Sequence, residues 1–259
     1  MKQSLQEKLE QHGLQHIEQH IMDHLQPSIA LQLEPAASLP VGMSKMGGLP
    51  DFPDGWTLPV YNGKPLTFIA QYNLQEIREA APDTGLPEQG MLYFFYEADE
   101  QQVWGEAEQK DGWRILYYDG QPESLSPAAQ PTDEHGTLSL CRIIFQPTKT
   151  LDVESLENSL DLSEEEEESY YDLLDDLHEL IPSHQAFGYP FAVQNNVFEE
   201  CGWFSGQEDR EWVLLLQVDS DEDNLDIMWG DAGMIYFCIP KDALAKRDFD
   251  QGWLVYQCY

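Results

Sequence analysis

Three sets of residues in this chain have types and spacings that could do chemistry. Gln71 and Gln217 each stand inside an otherwise apolar run, FIAQ at 68–71 and LLLQ at 214–217. A primary amide carries two donors and an acceptor oxygen, so a buried pair either reads a polar ligand or ties down backbone. Leaving either group unsatisfied would cost about 1–3 kcal/mol, so each must have a partner, and backbone across the interface between the two halves is the expected one. The second set is Trp229 beside Gly230 and Asp231 in MWGDAGM. A turn carboxylate under an aromatic ring can serve as a general base or ligand clamp, or can cap its own turn. Glu88, in LPEQGM, holds the matching place in the first part of the chain. Gln71, Gln217, Trp229, Asp231 and Glu88 are therefore the candidate ligand-binding residues.

The third set has metal-like spacing. His12, His16, His20 and His24 step by four, so neighbouring pairs on a helix could chelate zinc or nickel. The stripe drifts by about 40° per step, however, and no HExxH or cysteine completes it. Asp219, Asp221 and Asp223 alternate like the first ligands of a calcium loop, but the twelfth position is Gly230 and not a bidentate Glu. No metal and no cofactor is expected. Gly202-Trp203-Phe204-Ser205-Gly206 is not a nucleophile elbow, and Walker and GxGxxG loops are absent. Nucleophilic catalysis and phosphate cradling have no support, and no catalytic residue is assigned.

The elements that must position these residues follow from periodicity. Leu5, Leu9, Leu14, Ile17, Ile21 and Leu25 recur at helical spacing, predicting one helix over 2–25 that Gly13 weakens and Pro27 ends. An extended arm follows. From Ser44 onward, short apolar runs alternate with Gly and Pro, predicting strands at 66–74, 91–96, 113–118 and 138–145, with turns at Asn62-Gly63 and Asp111-Gly112. Residues 151–180 hold 13 acidic groups and no Lys or Arg, yet Tyr170, Leu174, Leu177 and Ile181 repeat helically. They predict an acidic amphipathic helix over about 163–181, started by a Ser163/Glu166 capping box, with a shorter helix at Val153, Leu156 and Leu160 before it. Strand texture returns at 191–194, 211–218, 233–239 and 252–259.

That return repeats four anchors in order. Gly48-Leu49-Pro50 recurs as Gly188-Tyr189-Pro190, FIAQ as LLLQ, GMLYFF at 90–95 as GMIYFC at 233–238, and Gly112-Trp113 as Gly252-Trp253. Chance alignment of apolar runs would not preserve the Gln, the Gly and the Trp together, so an internal duplication is expected. The fold class that follows is α+β: an internally duplicated, mainly antiparallel β-sheet body with an N-terminal helix and an acidic helical insert between the repeats. Its parts are an N-terminal helix and arm over 1–40, a first β-rich repeat over 41–145, the insert over 146–184 and a second repeat over 185–259. All four belong to one compact domain, with a ligand cleft expected between the halves.

KMGGLPDFP at 45–53, PLTFIAQYNL at 65–74, LPEQGMLYFFY at 86–96, FGYPFAVQ at 187–194 and IMWGDAGMIYF at 227–237 resemble the YwqG-like family over roughly residues 40 to 258. That is a bacterial family of domains of unknown function. The resemblance implies an α+β protein with duplicated antiparallel sheet and a cytosolic setting, and it carries over no functional residue.

Charge limits the partners. Of 259 residues, 48 are Asp or Glu and 13 are Lys or Arg, a formal charge of −35. Such a field repels phosphate polymers and anionic bilayers, so nucleic acid and membrane are excluded and a basic protein or a cationic small molecule is favoured. With 42% hydrophobic residues a chain of this length buries roughly 73% of its unfolded surface, enough for a large core. Cys141, Cys201, Cys238 and Cys258 form no CxxC pair and read as reduced thiols. The opening MKQSLQEKLEQ lacks an apolar segment behind a basic one, so a cytoplasmic location is expected. The function expected is a non-catalytic binding or interaction module. The alternative is a small-molecule enzyme using Asp231 or Glu88 as acid or base.

The charge also predicts an effect on stability. Crowding raises folded-state carboxyl pKa values above their unfolded values, so the native state binds more protons and acidification from neutrality stabilises it. The melting temperature is expected to be higher at pH 5.5 than at pH 7.5, and added salt to raise it at pH 7.5. A melting series over both variables checks this, and insensitivity to salt would show that the charges are neutralised locally.

Overall fold

The computed structural model describes residues 2–129, 136–178 and 183–259. Helices α1 (Lys2–His12) and α2 (Glu18–Asp23) replace the single helix expected over 2–25, because Gly13 takes φ +72° and a 3-10 turn follows. The arm after them is β1 (Leu25–Pro35), an eleven-residue strand. Its alternating Ile29 and Leu31 are buried, a period-two signal masked by the prolines around it.

The first half continues with β2 (Lys45–Met46), β3 (Asp51–Pro53) and a hairpin of β4 (Val60–Tyr61) and β5 (Lys64–Pro65). The hairpin turns at Asn62-Gly63, both at positive φ as a primed turn demands. Next come β6 (Thr67–Asn73), α3 (Leu74–Ala80), β7 (Met91–Tyr96), β8 (Trp113–Tyr118) and the short β9 (Leu125–Pro127). Asp111-Gly112 closes a 3-10 helix leading into β8 rather than a hairpin turn. Strand β10 (Cys141–Leu151) leads into the acidic helices α4 (Val153–Ser159) and α5 (Glu164–His178). The second half runs through β11 (Gln185–Ala186), α6 (Val197–Ser205), β12 (Trp212–Asp219), β13 (Met234–Pro240), α7 (Lys241–Ala245) and β14 (Trp253–Gln257). The strand expected at 191–194 is irregular backbone, whose N–H groups at Phe191 and Val193 are taken by the side chains of Gln217 and Gln257.

Ten strands form one sheet in the order β14-β13-β12-β11-β1-β10-β2-β6-β7-β8, every pair antiparallel. Its centre is the β1/β10 pair, in register from Leu25 opposite Leu151 to Pro35 opposite Cys141. Strand β1 therefore borders the second half's strands and β10 the first half's. The sheet curls until its halves face one another, with Phe94 on Phe237 at 5.3 Å and Tyr96 on Trp229 at 5.8 Å. The result is a nearly closed, barrel-like body. Outside the first half, Phe52, Phe68, Tyr93 and Phe95 form a second cluster under the 50–66 segment and β9. Helix α6 covers the outside of the second half.

The helices α1, α2, α4 and α5 bury a cluster of their own around Leu5, Leu9, Ile17, Leu156 and Leu173. The stripe expected on α5 does face inward: Tyr170 and Leu174 are buried and Leu177 half-buried, against the N-terminal helices and not against the sheet. Ile181, expected in the same stripe, lies outside the described residues. Ser163 and Glu166 form the expected start, with Ser163 N and Oγ both donating to Glu166 Oε2 at 2.9 and 2.6 Å.

The two edges of the sheet meet without pairing. Trp113 of β8 and Trp253 of β14 lie edge to face at 5.2 Å, and Trp253 Nε1 donates to Gly105 O at 2.8 Å. Between the strands sits Lys110, its ammonium 4.8 Å from the Trp113 ring and 5.3 Å from the Trp253 ring, donating to Gly252 O at 2.7 Å. Burial, with Arg114 beside it, lowers the Lys110 pKa to about 8. The folded pKa lies below the unfolded value, so stability from this group is complete above about pH 10.4 and falls as pH drops toward 8. Relative to Lys110→Met, the protein is expected to gain on the order of 1 kcal/mol between pH 8 and pH 10. Parallel denaturant titrations across that window check it; identical pH dependence in both proteins would refute the seam assignment.

Candidate functional site

The two glutamines occupy matching places. Each follows a register shift in its strand, between Phe68 and Ala70 in β6 and between Leu214 and Leu216 in β12. Each then stands opposite a tyrosine, Gln71 opposite Tyr93 and Gln217 opposite Tyr236. Both are fully buried. Gln71 Oε1 accepts from Asp51 N at 2.8 Å while Tyr93 Oη donates to Asp51 O at 2.6 Å. Gln217 Oε1 accepts from Phe191 N at 2.8 Å while Tyr236 Oη donates to Phe191 O at 2.6 Å. The amide nitrogens reach back to Met43 O at 2.9 Å and Ser183 O at 3.4 Å. The expected backbone partners are present, but each amide clamps the segment before its own strand instead of bridging the two halves.

Position 51 and position 191 then diverge. Asp51 is a buried carboxylate whose Oδ2 accepts from Gly42 N, Lys45 Nζ and Gln71 Nε2 at 2.8–2.9 Å. The first half thus closes this place with its own ammonium. Beside Phe191 a cleft of about 270 Å³ opens between the start of α4 and the 189–198 segment. Tyr189, Phe191 and Phe198 supply aromatic wall, with the Tyr189 and Phe198 rings 6.4 Å apart. Asp152, Glu154 and Glu157 supply carboxylates, and among the described residues no Lys, Arg or His lines the cleft.

Helix caps hold these groups. Asp152 caps α4 by accepting from Ser155 N at 3.1 Å, and it also takes the Tyr189 hydroxyl, which burial and this bond push up to about 12. Asn196 caps α6 through Phe198 N at 2.9 Å and turns its amide nitrogen to Glu154 Oε2 at 2.6 Å. Gly188, at φ +66°, lets the chain press onto β10. A Cβ there would lie 2.2 Å from Thr150 Oγ1, the atom that accepts from Tyr189 N at 2.8 Å.

The other expected site residues are scattered. Trp229 is fully buried against Tyr96, its indole N–H on Asp219 O at 3.1 Å, whereas Asp231 two residues on is exposed. Ring and carboxylate point to opposite sides of the turn and do not form the clamp. Glu88 lines a wider cleft of about 720 Å³ with Arg78, Tyr117 and Arg247, and its exposed carboxylate pairs with Arg78 at 3.0 Å. The histidine row is broken with its helix: His12 bonds Asp176 at 2.8 Å and His24 Nδ1 meets His20 O at 2.7 Å. In the acidic loop, Asp221 is taken by His184 and Asn224. His184 Nδ1 accepts from Asp219 N, so the proton is on Nε2 and donates to Asp221 at 3.1 Å, holding that carboxyl well below its usual range. Among the described residues no group of three or more His, Cys, Asp or Glu is placed to hold a metal ion.

Tyr189, Phe198, Asp152, Glu154 and Glu157 were passed over in the sequence. Gly188-Tyr189-Pro190 is visible as a motif and the acids as part of the acidic stretch over 151–180, but nothing local says that positions 152–157 and 189–198 meet. Gln217 links the visible to the missed, since it fixes the backbone of Phe191. Gln217→Leu is expected to orphan Phe191 N and Ser183 O and to destabilise the fold by on the order of 2–4 kcal/mol. Urea unfolding measures this; a loss under about 1 kcal/mol would show that the clamp carries little.

Residues 44–258 match the family described as a domain of unknown function, DUF1963. No curated protein matches the chain. The matched segment begins at the turn before β2 and takes in both clamps, the seam and the aromatic cleft, leaving out α1, α2 and β1. A match over this much of the chain establishes that it belongs to the DUF1963 family.

Proposed function

We propose that this protein is a non-catalytic binding module that takes a cationic group, an ammonium or guanidinium, into the cleft beside Phe191. The observation that carries the reading is the lining itself: three aromatic rings and three carboxylates, with no basic side chain among the described residues. Aromatic faces attract cations through their quadrupole and carboxylates through charge, and each gains where water is thinned. The formal charge of −35 supports it by steering basic partners toward the surface.

The same reading takes the body as an internal duplication, supported by the matched clamps at 51 and 191 and the matched register shifts. It takes the acidic helices as an insert, the motifs as YwqG-like and bacterial, and the location as cytoplasmic, the last supported by four free cysteines. No helix among the described residues is long and apolar enough to cross a membrane. The enzyme alternative gains no such support, since Glu88 is ion-paired and Asp231 does not line the cleft that Glu88 lines.

Titration with n-butylammonium, followed by NMR shifts of Tyr189 and Phe198, tests the reading. Saturable shifts are expected, weakened roughly tenfold in Glu154→Gln/Glu157→Gln, whose positions are exposed and safe to neutralise. Absence of saturable binding, or binding indifferent to the double substitution, would overturn it.

A further inference from the structure

The acceptors along the cation cleft are largely engaged by the fold itself. Asp152 Oδ1 accepts from Ser155 N at 3.1 Å, and the same carboxylate takes the Tyr189 hydroxyl. Glu154 Oε2 accepts from Asn196 Nδ2 at 2.6 Å, while Asn196 Oδ1 is taken by Phe198 N and Glu199 N. Main-chain oxygens on the wall are committed too: Tyr189 O to Gln185 Nε2 at 2.8 Å, Phe191 O to Tyr236 Oη at 2.6 Å and Asp152 O to Leu156 N at 3.0 Å. Glu154 and Glu157 are exposed, so what they lend the cleft is charge more than a fixed set of open acceptors.

Cations differ in what they ask of such a lining. A primary ammonium carries three N–H donors and a guanidinium five, and each one left without an acceptor away from water weakens binding. A quaternary ammonium carries none. Its charge is spread over methyl groups, which touch rings and aliphatic side chains directly. The wall supplies those contacts from Tyr189, Phe191 and Phe198 together with Leu151, Val153 and Val197. The Tyr189 and Phe198 rings are inclined at 52° to each other, so a flat guanidinium can stack on only one of them, whereas a round trimethylammonium can touch both. The carboxylates also restrict the carrier, because a phosphate next to the cation would meet Asp152, Glu154 and Glu157.

Resting on the cation reading above, we propose that the cleft beside Phe191 selects a quaternary ammonium, a trimethylammonium group on an uncharged carrier, over primary ammonium and guanidinium groups.

The experiment is calorimetric titration of the full chain with choline, n-butylammonium, phosphocholine, and 3,3-dimethyl-1-butanol, which has the shape of choline with carbon in place of the charged nitrogen. Choline is expected to bind at least about fivefold more tightly than n-butylammonium and about tenfold more tightly than the alcohol, with phosphocholine weaker than choline. Acetyl-trimethyllysine-amide distinguishes the sources: tighter binding than choline assigns a methylated side chain, weaker binding a free small molecule. In Phe198→Leu, which keeps an apolar wall but loses a ring, choline is expected to weaken about fivefold while the alcohol is unchanged. Binding of n-butylammonium as tight as that of choline would overturn the quaternary proposal and leave the cation reading standing, and phosphocholine binding as well as choline would overturn the uncharged carrier. The alcohol binding as well as choline, or failure of every cationic probe, would overturn both readings. The comparison among probes needs no variant, so a misfolded Phe198→Leu would not rescue the proposal.

Discussion

A primary amide sealed inside an apolar strand must have both ends satisfied, and in this fold that requirement sets the path of the chain outside the sheet. Gln71 with Tyr93, and Gln217 with Tyr236, seize the N–H and the C=O of one residue each, Asp51 and Phe191. Between them an amide oxygen and a phenol do what a neighbouring strand would do, at Phe191 on irregular backbone and at Asp51 on β3, whose strand partner is β9. The same two places show a further parallel one step away, where Ser44 Oγ accepts from Asn73 N and His184 Nδ1 from Asp219 N.

What the clamps present differs between the halves: one closes on a buried ion pair and the other lies beside an open cleft. At Asp51 the carboxylate is matched by Lys45 and two further donors, all within the molecule. A buried pair of this kind is costly to break and has nothing left to offer a ligand. In the second half Gln185 stands opposite Gln217 as Lys45 stands opposite Gln71, and Phe191 takes the place in the clamp that Asp51 takes in the first. The carboxylates there are Asp152, Glu154 and Glu157, at the cleft wall.

Acidity in this chain is thus two things. Much of it is local structure: Asp152, Glu166 and Asp221 accept from helix starts, turns or His184, and Asp242 is drawn down to about 2 by Lys246 and Arg210. For Glu166, Asp221 and Asp242, whose carboxyls these partners hold low, stabilisation is present above the unfolded pKa and is lost only as pH falls through the depressed folded value. The remainder lies in clefts and on exposed helix faces.

The sequence by itself determined the local elements and the need for polar partners. Strands β7 and β8, the hairpin at Asn62-Gly63, the start of α5 and the buried stripe on it follow from periodicity and capping, which act within a few residues. That Gln71 and Gln217 need partners was equally legible, because a buried amide in a hydrophobic run is costly wherever it lies. Only the tertiary structure decided that β1 and β10 form the centre of the sheet, since pairing across more than a hundred residues leaves no local trace beyond alternation. It alone placed Trp229 inward and Asp231 outward, and brought Asp152, Glu154 and Glu157 against Tyr189 and Phe198. Those contacts depend on how one sheet curls and where a helix leaves it, and side chains distant in sequence record only their own neighbours, not one another.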